Sequence, residues 1–153
     1  PETIAVRQKS LPEQGAISQI ALSAMENWGK QIAQTDAPVL VIIEGLTMYL
    51  SEADVKQIFK VISGRFAHVT VFVEIMSPMV VKRVKEKSIE GSHAKFTWGV
   101  KNGHTLAEKL PDFRFVAEHS LTEGMAEFSP IYRLLDRIPA VRGISNRIIT
   151  LEK

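Results

Sequence analysis

Glu44-Gly-Leu-Thr-Met-Tyr49 gathers the residues of this sequence best placed for chemistry. Glu44 directly follows Pro38-Val-Leu-Val-Ile-Ile43, an apolar and mostly β-branched run that reads as a strand buried on both faces, the signature of a parallel sheet. In an open α/β sheet, ligands bind beyond the carboxyl ends of such strands. A carboxylate there is desolvated unless a cation or hydrogen-bond donors meet it. A ribose diol, an α-ammonium group or a sulfonium-bearing ligand would do so. Gly45 lets a ligand come close to the backbone. The plain alternative is that Glu44 caps a neighbouring helix or meets an arginine in solvent. Met48 and Tyr49 either face a substrate or pack beneath the next helix. The same carboxyl-end rule also selects Ser23 to Glu26 and Glu74 to Ser77.

Other chemistries are excluded or weakly supported. The chain has no cysteine, which removes disulfides, thiolate zinc sites, iron–sulfur clusters and thiol catalysis. His68, His93, His104 and His119 lack an H-E-x-x-H or paired-ligand spacing, so no metal is expected. No Ser-His-Asp arrangement can be argued from spacing. Nineteen basic against 17 acidic residues give a net charge of +2, too small a field to suggest a nucleic-acid partner. Lys82, Arg83, Lys85 and Lys87 read as a solvated helix face. The longest apolar run is strand-sized, so no membrane span is expected. PETIAVRQKS lacks the design of a secretion signal, which makes the cytoplasm the default location.

The elements that position these residues follow from periodicity. At 153 residues the chain reads as a single domain. A helix is expected from Pro1 to Leu11, a strand over Ala16 to Ala24, and a helix from Glu26 to Gln34 with Trp28 and Ile32 on one face. After the strand ending at Glu44, Ser51-Glu-Ala-Asp54 forms a capping box. Its helix carries Val55, Ile58, Phe59 and Ile62 inward and is closed by Gly64. Ala67 to Ile75 is the second strand of a βαβ unit. A helix from Pro78 to about Ile89 follows, then a short one from Thr105 to Leu110. A strand from Phe113 to Glu118, a helix from Pro130 to Asp136 and a strand from Arg147 to Leu151 complete an α/β domain.

The run VLVIIEGLTMYLSEADVKQIF resembles the strand-and-helix motif of the leucine carboxyl methyltransferase family, nearest its bacterial, tetracenomycin-type polyketide O-methyltransferase branch. PETIAVRQKSLPE, ALSAMENW, KFTWGVKNGHTLAEKL and IPAVRGISNRIITLE agree with that family in order. The resemblance spans nearly the whole chain but only the C-terminal half or so of a family member. It implies an S-adenosylmethionine-dependent enzyme with a Rossmann-like fold, here a mostly parallel sheet ending in an antiparallel pair. Glu44 and Gly45 then fall at the cofactor, and Ser23 and Ala24 along its adenine. Relatives carry Asp-Leu or Ser-x-x-Asp at that second place, where this chain has Ser23 and Glu26. Met48, Tyr49 and Trp98 fall near the substrate, Trp98 with Gly99 as part of a lid or wall. The alternative for Trp98 is packing support.

The family's glycine-rich loop and first two strands are expected before Pro1, and none of the nine glycines here forms a G-x-G. The start without methionine points the same way, to a fragment or processed product with an incomplete methyltransferase domain. The implied reaction is methyl transfer to oxygen on a small molecule by in-line displacement. A carboxylate acceptor needs no general base, and no catalytic residue is nominated. The rival readings are a cofactor-free fragment and an interaction module that self-associates. In either case Val39 to Ile43 becomes an open edge and Ile17 to Ser23 must find a new partner or leave the sheet. A homo-oligomer is therefore expected.

Overall fold

The computed structural model describes residues 2–10, 15–83, 94–138, 141 and 144–153. Among the described residues, ten α-helices and β-strands follow in order. They are α1 (Glu2–Ser10), β1 (Val39–Ile43), α2 (Glu52–Arg65), β2 (Val69–Ile75), α3 (Pro78–Arg83), α4 (Gly103–Ala107), β3 (Arg114–Ser120), α5 (Leu121–Met125), α6 (Pro130–Asp136) and β4 (Arg147–Glu152). The four strands form one sheet in the order β1-β2-β4-β3. β1 and β2 are parallel, with Val39 opposite Val69 and Ile43 opposite Val73. β4 runs antiparallel to both β2 and β3, which puts the expected antiparallel pair at the back of the sheet. The architecture is mixed α/β and compatible with part of a methyltransferase fold.

α2 begins as its sequence dictates. Ser51 accepts from the Asp54 amide while the Asp54 carboxylate accepts from the Ser51 amide, so each satisfies a donor the first turn leaves free. Val55, Ile58, Phe59 and Ile62 then face the sheet. They close over Val69, Val71, Val73 and Ile75 of β2 and Ile149 and Leu151 of β4. Phe59 meets Phe113 edge to face at 5.1 Å. Burying each such side chain contributes about 1.5–3 kcal/mol, and that is what pins the helix to β2. The helix runs through Gly64 to Arg65 instead of stopping at the glycine. Gly64 is not in the left-handed region that a glycine stop would use.

Three further expectations are corrected. The strand over Ala16 to Ala24 is absent: residues 17–21 are irregular and join no ladder, although the outer side of β1 is open, because alternation alone does not supply a pairing strand. The helix from Glu26 to Gln34 shrinks to a 3-10 turn at Trp28–Gln31, though Trp28 and Ile32 both pack on the core. β1 is an edge strand and not buried on both faces. Its Leu40 and Ile42 remain 54% and 65% exposed while Ile43 is buried. The expectation that Val39 to Ile43 forms an open edge is met. Lys85, Lys87, Ile89 and His93, with Pro1, Leu11 and Pro12, lie outside the described residues.

Candidate functional site at the carboxyl end of the parallel strands

The loop leaving β1 turns sharply at Gly45, whose φ of 62° lies where an L side chain is strained. Its amide donates to Glu74 Oε2 at 2.8 Å. Two residues later Thr47 Oγ1 donates to the Glu74 carbonyl at 2.6 Å. β2 therefore holds the loop at two points, and the 3-10 turn Thr47–Tyr49 follows directly.

Glu74 is buried, 7% exposed, and its other oxygen accepts from Asn146 Nδ2 at 2.6 Å. The sequence carries a partial signal for this residue, an acidic side chain inside the apolar run Val71-Phe-Val-Glu-Ile75. Asn146, 72 positions away, carries none.

Residues 94–100 cross over the same end of the sheet. The Met48 carbonyl accepts from the amides of Thr97 and Trp98 at 2.8 and 3.3 Å, and the Met76 carbonyl from Val100 at 3.0 Å. Gly99 sits so close beneath that a Cβ on it would lie 2.6 Å from the Met76 carbonyl oxygen. Tyr49 and Phe96 stack in a tilted pair at 5.4 Å. Met48 is only 3% exposed, so the packing alternative describes its side chain. Tyr49 and Trp98 are half-buried, and Trp98 rests on the hydrophobic core.

A groove opens on the α2 side of β1. Ala24 and Trp28, Val41, Glu44 and Leu46, and Ile58 and Ile62 of α2 line it. Trp28 Nε1 donates to the Ala24 carbonyl at 3.0 Å, which ties the indole to the turn that carries Ala24. Ser23 and Glu26 close the adjoining turn through the Ser23 amide and Glu26 Oε1 at 2.8 Å. The structure thus brings Ala24 and Glu44 to one groove, with Ser23 and Gly45 adjoining them in the chain. Met48, Tyr49 and Trp98 do not line it and cluster instead with Phe96. The groove encloses about 220 Å³, below the roughly 300–1,000 Å³ of a typical ligand pocket. Its lining is mostly apolar, with the Glu44 carboxylate as the one charged side chain among the residues around it. Glu44 is exposed and has no hydrogen bond or ion pair among the described residues.

Among the described residues no three His, Asp or Glu side chains gather as a metal site. No described helix is long and apolar enough to cross a membrane.

Over 135 residues the chain is 27% identical to the tetracenomycin polyketide synthesis O-methyltransferase TcmP of Streptomyces glaucescens. The chain is related to a methyltransferase. The match covers 86% of this chain and 50% of TcmP, so the chain spans about half the length of that relative. No family profile matches the chain, and no solved structure matches it.

Proposed function

We propose that the protein carrying these residues transfers a methyl group from S-adenosylmethionine to an oxygen of a small, polyketide-like acceptor, and that it belongs to the leucine carboxyl methyltransferase family. The observation that carries this reading is the single groove that joins Glu44 to Ala24, residues far apart in sequence and both expected at one cofactor. The residues present suit such a ligand in part. Trp28, Ile58 and Ile62 give the groove an apolar and partly aromatic lining of the kind that suits a flat ring. The Glu44 carboxylate accepts from hydroxyl groups.

In this reading Ala24 and Ser23 lie along the adenine, and Glu44 and Gly45 meet the ribose or the methionine end. Tyr49 and Trp98 stand toward the acceptor. Residues 1–153 supply one part of the domain, and polypeptide outside them completes the site. When bound, S-adenosylmethionine supplies an electrophilic methyl group. The residues of this chain bind, orient and exclude water, effects that together are worth several kcal/mol in well-aligned reactions. A carboxylate acceptor is already anionic near neutral pH and needs no base. No catalytic residue is assigned.

A second reading, an interaction module that has kept the sheet without the cofactor, draws on the open β1 edge with Leu40 and Ile42 exposed. Glu44→Gln separates the two. It preserves size and removes charge, so S-adenosylmethionine affinity falls by about tenfold or more under the enzyme reading. Unchanged affinity in a folded variant removes Glu44 from the site.

A further inference from the structure

We infer that Glu74 and Asn146 act as a positioning pair that sets the turn carrying Glu44 and Gly45. The pair's consequence for affinity rests on the cofactor reading above, whereas its grip on the turn does not.

A buried carboxylate is costly unless its oxygens are satisfied, and among the described residues Glu74 has no ion-pair partner. Its partners are two neutral donors, the Gly45 amide on Oε2 and Asn146 Nδ2 on Oε1. A carboxylate accepts at both oxygens, whereas a glutamine in the same place presents one acceptor and one donor. Glutamine keeps both bonds only when the Asn146 amide turns to present Oδ1, whereas an apolar side chain leaves the Gly45 amide and Asn146 Nδ2 without an acceptor. Asn146 is itself anchored. Its carbonyl accepts from the Leu121 amide at 2.9 Å, and the next residue, Arg147, opens β4 opposite Ile75. The chain of bonds runs from the start of β4 through the Glu74 side chain to the turn that follows β1. Thr47, bonded to the Glu74 carbonyl, holds the other side of that turn. Nothing in this chain of bonds lines the groove, so Glu74 and Asn146 act through Gly45 and not on the ligand.

The test removes the acceptors and then restores them in the natural full-length gene product, read by the Gly45 amide proton in NMR and by S-adenosylmethionine titration. Glu74→Met keeps the side-chain length and removes both acceptors, so it should displace the Gly45 amide resonance and weaken binding by about tenfold. Glu74→Gln should keep the resonance closer to its native position and hold affinity within about threefold, because its oxygen accepts from Gly45 and its nitrogen donates to a turned Asn146 Oδ1. Should Glu74→Met not fold, Asn146→Ala serves, since it frees Glu74 Oε1 without touching the turn and should still move the Gly45 amide. An unmoved amide in Glu74→Met or Asn146→Ala overturns the proposal, as does a folded Glu74→Gln that matches Glu74→Met in both readouts. An amide that moves without any change in affinity overturns the link to the ligand. If the native protein binds no S-adenosylmethionine while the amide follows the loss and return of the acceptor, the cofactor reading falls and the positioning of the turn stands.

Discussion

Replacing Gly45 with alanine tests the local geometry on which the site depends. A Cβ at this position meets nothing within 4 Å, so steric overlap contributes no cost. The cost is conformational. At a φ of 62° an alanine is strained by roughly 1–2 kcal/mol, the left-handed penalty of an L residue. Reduced freedom of the unfolded chain offsets roughly 0.4–1 kcal/mol of that. The expected net loss is about 1 kcal/mol, or a fall in Tm of about 2–4 °C for a chain of this size. Asparagine tolerates the left-handed region, so Gly45→Asn should cost less than half as much. If the backbone instead yields and turns its amide away, buried Glu74 loses a donor, which adds about 1–3 kcal/mol. Urea unfolding of the three proteins, with midpoints compared at constant slope, measures these differences. An alanine variant within about 0.3 kcal/mol of native, or an asparagine variant as unstable as alanine, would refute the reasoning from φ.

Further outcomes follow from other contacts. Lys109 and then Lys56, each 2.8 Å from Glu52, hold its carboxyl down to about 2. Because the folded value is depressed, the stabilisation is complete above about 4.5 and fades as pH falls toward 2. Glu52→Gln should flatten that part of a Tm-against-pH profile, less so in high salt, and an unchanged profile would contradict the assignment. Gly99→Ala would place its Cβ 2.6 Å from the Met76 carbonyl oxygen and 2.9 Å from Val81 Cγ2, so the covering segment must shift. Denaturant unfolding should record a loss of about 1–3 kcal/mol, and a loss under about 0.5 kcal/mol would speak against that tight fit. The open β1 edge with Leu40 and Ile42 exposed should drive concentration-dependent association of this chain in sedimentation equilibrium. Ile42→Lys should abolish it, and a native chain that stays monomeric at every concentration would remove the expectation.

Elements defined by their own residues were legible in the sequence. Val39–Ile43 and Val69–Ile75 are apolar runs of strand length, and Ser51 with Asp54 announces α2. Pro130–Asp136 emerges with its expected bounds, and β4 extends the expected strand by one residue. What depends on a neighbour was not legible. Ile17 to Ser23 alternates like a strand, but alternation cannot supply the adjacent strand whose backbone it must meet. β1 reads as doubly buried because its composition suits a central strand, whereas the observed exposure of Leu40 and Ile42 is set by its place at the sheet edge. In the site, the Glu44–Gly45 turn could be read from a strand ending in Glu-Gly. The clamp beneath it could not, because it joins Gly45, Glu74 and Asn146 through tertiary hydrogen bonds.

The central claim is that the groove at Glu44 is part of an S-adenosylmethionine site. Isothermal titration of S-adenosylmethionine into the natural full-length gene product, native and Glu44→Gln, beside residues 1–153 alone, tests it directly. The account predicts binding by the native gene product, an affinity lower by about tenfold or more in Glu44→Gln with unfolding unchanged, and weak or no binding by residues 1–153 alone. Absence of binding by the native gene product, or equal affinity in the variant, would contradict it.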